Sequence, residues 1–300
     1  PTGVKIFNWI GTMWGGSIKL NTCMLYAIGF VALFIVGGLS GVSHAVSPSD
    51  AQQQDTYYIV AHIHYVLFGG AIFGIFTGIY YWFPKITGKL LDETLGKINF
   101  WLLFIGMNIT FFPMHYLGMN GMPRRIYTYS TEYGWDFLNL LASAGYFVMF
   151  VGILVFIANV LISYKNGKEA GHDPWDAPGL EWTISSPPPS YNFAQVPQVL
   201  GQDHYWIVKR QAEAAGNPIT KPEPFVDPET IHMPNPSYWP IFTAFGLLLL
   251  AVGFLIEFPW QYLKFPIAIP AGIIIFIGVM GWSFEPAAPE AHHGDDHSDG

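Results

Sequence analysis

The sequence predicts an all-α protein, a polytopic bundle of membrane-spanning helices. Three observations carry this. The 300 residues are 51% hydrophobic and 17% aromatic but only 11% charged, with a positive mean hydropathy, a balance found in membrane chains rather than soluble ones. Residues 20–49 and 56–84 contain no Asp, Glu, Lys or Arg, and a helix needs about 20 apolar residues to cross hydrocarbon. Further apolar stretches of about 17–25 residues recur downstream.

In chain order, residues 1–14 read as the end of a helix, with Pro1 and Gly3 near its break and Val4, Ile6, Phe7, Trp9 and Ile10 around a lone Lys5. Helices are then expected at about 22–43, 56–83 (closed by Pro84), 98–117, 137–164, 239–256 and 265–283. The stretch from Lys165 to Ser237 is polar and Pro-rich, including Pro187, Pro188 and Pro189. It lacks the apolar periodicity of a core and is expected to run extended over the cytoplasmic surface, with a short helix near 202–214. The tail, with His292, His293, Asp295, Asp296 and His297, is expected to be disordered. The organisation expected is a first bundle over 1–165, a connection over 166–237, two further helices within 238–284 and a tail over 285–300.

No internal repeat is visible. The first residue is Pro and no signal-peptide pattern follows, so the numbering is expected to begin inside a longer chain. A single cysteine, Cys23, excludes an intramolecular disulfide and reads as packing. The net charge of −8 sits in loops and the tail and argues against nucleic acid. With alternating sides, one face collects Lys19, Lys85, Lys89, Lys97, Lys165 and Lys168 and the other Arg124, Arg125 and Lys264. The excess of positive charge makes the first face cytoplasmic. His62 and His64 then lie near the outer end of their helix. Arg124 and Arg125 stand against the charge rule and are expected to be held by buried anions.

His62 and His64 are ionisable groups inside a membrane run, where such groups are costly and tend to carry function. Each residue of a helix advances about 100°, so the two imidazoles point about 200° apart. They cannot share one metal. They either serve two centres about a helix diameter apart, ~10–12 Å, or are two core histidines bonded to neighbouring carbonyls. Lys5, with Thr2 on the same helix face, reads as a buried ammonium able to pass a proton, the alternative being a snorkelling lysine. Asp50, Gln54 and Asp55 offer oxygen ligands to a hard cation such as Mg²⁺; Asp55-Thr56 equally suits a helix start. Arg124 and Arg125 suit paired recognition of carboxylates, such as haem propionates, or a lipid-headgroup anchor. His115 reads as a structural hydrogen-bonding residue.

Several motifs occur together: Pro1-Thr2-Gly3-Val4-Lys5, Gly37-Gly38-Leu39-Ser40-Gly41, Asp55-Thr56-Tyr57-Tyr58, Val60-Ala61-His62-Ile63-His64-Tyr65-Val66, Phe111-Phe112-Pro113, Gly121-Met122-Pro123-Arg124-Arg125, and Leu180-Glu181-Trp182 followed by Pro187-Pro188-Pro189. In this order and spacing, over residues 1 to about 195, they closely resemble subunit I of haem-copper cytochrome c oxidases. The resemblance implies the C-terminal part of the family's twelve-helix core, from the end of the eighth helix, followed by two extra helices of the longer bacterial type.

It further implies that His62 is the proximal ligand of the high-spin haem that binds oxygen and His64 an axial ligand of the low-spin haem. Lys5 and Thr2 match the family's lysine proton pathway. Arg124, Arg125 and Asp50 match the haem propionate region, and Asp55 a ligand of a Mg²⁺ site, with Gln54 where the family often has His. The cofactors implied are two haems, of the haem A kind, and copper whose ligands lie upstream. The implied partners are the N-terminal part of the same subunit, a copper-bearing subunit II, subunit III, cytochrome c and membrane lipid, in a bacterial inner membrane. The implied activity is reduction of O₂ to water coupled to proton translocation. A quinol oxidase of the same superfamily would keep nearly every motif. A nitric oxide reductase relative, and a haem-free transporter or scaffold, are the remaining alternatives.

Overall fold

A computed structural model describes residues 1–193, 195–199, 201–219, 221–222, 226–227, 236–255 and 265–286. The described residues form helices joined by loops, and their only β pairings are two isolated bridges. The helices are α1 (Thr2–Met13), α2 (Thr22–Ala45), α3 (Ser47–Gln53), α4 (Tyr57–Val66), α5 (Phe73–Thr87), α6 (Glu93–Met119), α7 (Asp136–Asn166), α8 (His204–Ala214), α9 (Trp239–Leu255) and α10 (Phe265–Ser283). A π-helical segment, Leu67–Ile72, joins α4 to α5 without a break, so Tyr57–Thr87 acts as one span. It is one of five helices long and apolar enough to cross a membrane, the others being Thr22–Ala45, Glu93–Met119, Asp136–Asn166 and Pro266–Ser283; Trp239–Leu255 is a shorter apolar helix. The protein is a multi-pass membrane protein.

Helix ends differ from the sequence reading where capping outweighs hydropathy. Pro84 does not close its helix: the backbone runs on to Thr87 and stops at Gly88, which takes a left-handed φ of 75° and donates its N–H to the Pro84 carbonyl at 2.8 Å. Proline forfeits its own N–H bond but leaves the following residues free to stay helical, and a left-handed glycine is the common stop. The fourth expected helix begins earlier, at Glu93, because the Asp92 carboxylate accepts the Leu95 N–H at 2.8 Å. α3, read as loop, is a short helix with Pro in its first turn.

The chain divides into two compact units, Pro1–Pro189 with Pro197–Pro224, and Ser190–Val196 with Phe225–Gly300. In the first, Tyr26, Leu33, Tyr65, Phe73, Phe76, Tyr80, Phe100, Leu103, Met107 and Phe111 form the main core. Within it Asn99, fully buried, accepts from the hydroxyls of Tyr26 and Tyr80 and donates to the Gly152 carbonyl, tying α2, α5, α6 and α7 through one side chain. In the second, α9 packs on α10.

The Pro-rich connection is not simply extended. Its first part builds a small core of Ala177, Trp182 and Tyr205 against Tyr81 and Trp175. Lys85, buried at the end of α5, donates to the carbonyls of His172, Ile184 and Ser185 at 3.2, 2.8 and 3.2 Å. Lys209 on α8 meets Asp173 at 2.8 Å, Asp176 at 2.7 Å and the Ala177 carbonyl at 2.9 Å. Periodicity misses such a core because it is made of two lysines and scattered aromatics. The expected short helix is α8. Lys264 and residues 287–300 of the tail lie outside the described residues.

Candidate functional site

α4 begins where Thr56 accepts the Tyr58 N–H at 3.2 Å and donates to the Gln53 carbonyl at 2.7 Å. From that start the helix carries His62 and His64 to different neighbours. The His62 ring lies against the end of α2, its Nδ1 2.9 Å from the Gly37 carbonyl oxygen and 2.9 Å from Ser40 Oγ. A Cβ added at Gly41 would come within 2.9 Å of His62 Cε1, so glycine there is what lets the ring lie flat against α2. His64 faces α6: its ring stacks on Phe111, centroids 4.1 Å apart and planes 11° apart, and its Nδ1 is 2.7 Å from the Val60 carbonyl oxygen.

Both rings are thereby held in one tautomer. A carbonyl oxygen only accepts, so each Nδ1 carries the proton and donates it, leaving the Nε2 lone pair. A ring proton tied to a backbone carbonyl is the arrangement that orients metal-ligating histidines. No hydrogen bond is made by either Nε2 among the described residues. The helical spacing of the sequence is realised as two rings with different neighbours, His62 on α2 and His64 on α6.

Residues 1–148 match the family described as "Cytochrome C and Quinol oxidase polypeptide I". The chain belongs to this family. As a polypeptide I chain it is 46% identical over 283 residues to cytochrome c oxidase subunit 1 of Bacillus sp. (strain PS3), covering 93% of this chain and 44% of that one. It is 51% identical over 212 residues to cytochrome c oxidase subunit 1 of Thermostichus vulcanus, covering 70% and 38%. To quinol oxidase subunit 1 of Bacillus subtilis (strain 168) it is 41% identical over 285 residues, covering 93% and 41%. The chain thus spans less than half the length of these relatives.

The remaining predicted residues of this polypeptide I chain fall in three places. The antiparallel bridge between Thr56 and Pro123 brings Arg124 to Asp55: its backbone N–H donates to the Asp55 carbonyl at 2.8 Å, and its Nε donates to Asp55 Oδ1 at 2.7 Å. Asp55 and Arg125 both have left-handed backbones, φ 58° and 66°, uncommon for residues with a Cβ. The anion beside Arg124 among the described residues is the Asp55 carboxylate, 68% exposed; Arg125 is exposed. Asp50 sits on α3 and faces His44, 3.5 Å away, instead of the arginines. No group of three His, Cys, Asp or Glu side chains comes together among the described residues. Lys5 and Thr2 are exposed on α1, with Lys5 Nζ 5.9 Å from the Trp9 ring centroid, so the expected burial of Lys5 is not realised among the described residues.

His115 Nδ1 donates to the Phe112 carbonyl at 3.2 Å. The sequence reading missed His44. Its ring centroid is 5.0 Å from that of His62 and 5.2 Å from that of Tyr58, and both its nitrogens are buried without a hydrogen-bond partner. The signal was present: His44 is an ionisable group in the charge-free run 20–49, the criterion that singles out His62 and His64.

Proposed function

We propose that this chain is part of the catalytic subunit of a terminal respiratory oxidase that reduces O₂ to water with electrons from cytochrome c, coupled to proton translocation. The observation that carries the reading is the pair of Nδ1–H tautomers on one helix, His62 packed on α2 and His64 on α6. His62 would hold the high-spin haem iron and His64 the low-spin one. When bound, the haems, of the A type, supply electron transfer and oxygen activation. The donor set fits them: neutral imidazoles with fixed tautomers are common haem ligands, and neither His62 nor His64 makes a hydrogen bond through Nε2 among the described residues.

What the chain's own residues do follows from their chemistry. α4 holds the two ligands two residues apart, so a single rigid element links electron entry to the oxygen site. Arg124 and Arg125 offer guanidinium donors to propionates, whereas Asp50 is turned to His44. Lys5, with the Thr2 hydroxyl, takes up protons from the cytoplasmic side and holds them at its amine, the upstream part of the subunit supplying the cover. Moving a charge across the membrane costs about 2.3 kcal/mol per 100 mV, and the redox drop drives it.

Copper is implied with ligands upstream of these residues, and the described residues hold no set for it. Magnesium fits poorly here, because Asp55 is engaged by Arg124 and no three-residue ligand group forms; no step is routed through it. The partners are the N-terminal part of the subunit, a copper-bearing subunit II, subunit III, cytochrome c and lipid, in a bacterial inner membrane. The 41% identity to a quinol oxidase subunit 1 supports a second reading with quinol as donor, and a copper-ligand motif in the partner subunit separates the two. The test of the oxidase reading is the optical spectrum of the reduced complex on adding CO. A haem absorbance change is expected, and its absence overturns the proposal.

A further inference from the structure

We propose that Ser40 is a positioning residue for His62, and that its hydroxyl and the Gly37 carbonyl together set the donor strength of the imidazole at Nε2. The inference rests on the reading of His62 as a haem ligand and adds to it a residue that acts through the imidazole. Ser40 is 7% exposed on α2. Its Oγ lies 2.9 Å from the Gly37 carbonyl oxygen and 2.9 Å from His62 Nδ1, and the same carbonyl oxygen is 2.9 Å from that Nδ1.

Only one assignment of protons satisfies this triangle. The carbonyl has no proton, so the contact between Ser40 Oγ and Gly37 O is made by the serine hydroxyl donating. The lone pairs of Oγ then face His62 Nδ1. A bare nitrogen would meet two acceptors at 2.9 Å, so Nδ1 carries the proton and shares it between the carbonyl and the hydroxyl oxygen. Two acceptors on one N–H draw the proton from the ring more than one does, and the ring responds with greater basicity at Nε2, the effect by which outer partners tune a metal-bound imidazole. The ring cannot turn out of this contact freely. Gly41 lies under its Cε1 edge and His44 stands 5.0 Å away, centroid to centroid.

The experiment is resonance Raman spectroscopy and redox titration of the complete reduced complex carrying Ser40→Ala, with Ser40→Thr as the conservative variant. Ser40→Ala is expected to move the iron–histidine stretching band to lower frequency and the midpoint potential of the CO-binding haem upward, with haem content unchanged. Ser40→Thr, which keeps a hydroxyl, is expected to restore both. If Ser40→Ala fails to retain haem, Ser40→Val against Ser40→Thr isolates the hydroxyl at constant shape, and a difference in band position between those two is the expected result. A Ser40→Ala band and potential equal to the unaltered complex would overturn the proposal, as would equal bands in the Val and Thr variants. An unaltered complex with no iron–histidine band at all would instead remove His62 as the ligand, a different failure.

Discussion

His62 and His64 differ by two positions in sequence and by half a turn in what they touch, and this makes their substitutions separable. His62→Ala should abolish the CO-induced absorbance change while leaving a low-spin haem band; His64→Ala should remove the low-spin band first. Simultaneous loss of both signals in each variant would show that the two rings do not ligate separable centres. At Lys5 the expected effect is kinetic. Lys5→Met should lower turnover on the order of 10²-fold, the scale at which a positioned proton-transfer group contributes, with haem spectra unchanged. Unchanged turnover would take Lys5 out of the proton path. The two histidines stood out because an ionisable side chain in a charge-free run is a strong signal. Ser40 was legible only as one residue of a motif, since its partner His62 lies 22 positions away and nothing local marks the pairing.

At the scale of elements, α8 is fixed to the connection by one lysine. Lys209 and Asp173 have side chains 7% and 8% exposed, and removing one member of such a buried pair costs about 3–5 kcal/mol because the other charge is left unpaired. Lys209→Met should therefore release α8, read as faster amide hydrogen exchange over 204–214, with haem spectra unchanged. Unaltered exchange would show that Trp182 and Tyr205 hold α8 without it.

Acid should loosen the same region in two steps. Burial lowers the His172 pKa. Its neutral ring thus favours the docked state above the unfolded pKa of about 6.5, and that contribution is lost as pH falls through the lowered value. The Lys209 hydrogen bond lowers the Asp176 pKa, so its contribution persists to about pH 3.9 and is lost only below it. Exchange over 204–214, corrected for its intrinsic pH dependence, should rise in each window, and His172→Gln should erase the first step. The spans themselves were readable from hydropathy. This docked segment was not, because its contacts join residues as far apart as Lys85 and Ser185 through carbonyls that every residue possesses.

For the whole molecule, the question is which parts the site requires. Every contact of His62 and His64 described above comes from α2, α4 or α6, all within the unit containing Pro1–Pro189. α9 and α10 are apolar throughout, and they pack closely: a Cβ at Gly246 would lie 2.8 Å from Ile275 Cγ1. Small residues that let helix backbones approach are how membrane helices associate without a hydrophobic driving force, so this hairpin holds itself together by its own fit. We therefore expect the organisation read from the sequence, a haem-bearing bundle over 1–165 and separate helices within 238–284, to hold functionally. A subunit ending at residue 224, expressed with its upstream part and partner subunits, should retain both haem signatures and the CO-induced change. Loss of either signature on truncation, with the subunit still in the membrane, would mean that α9 and α10 contribute to the site.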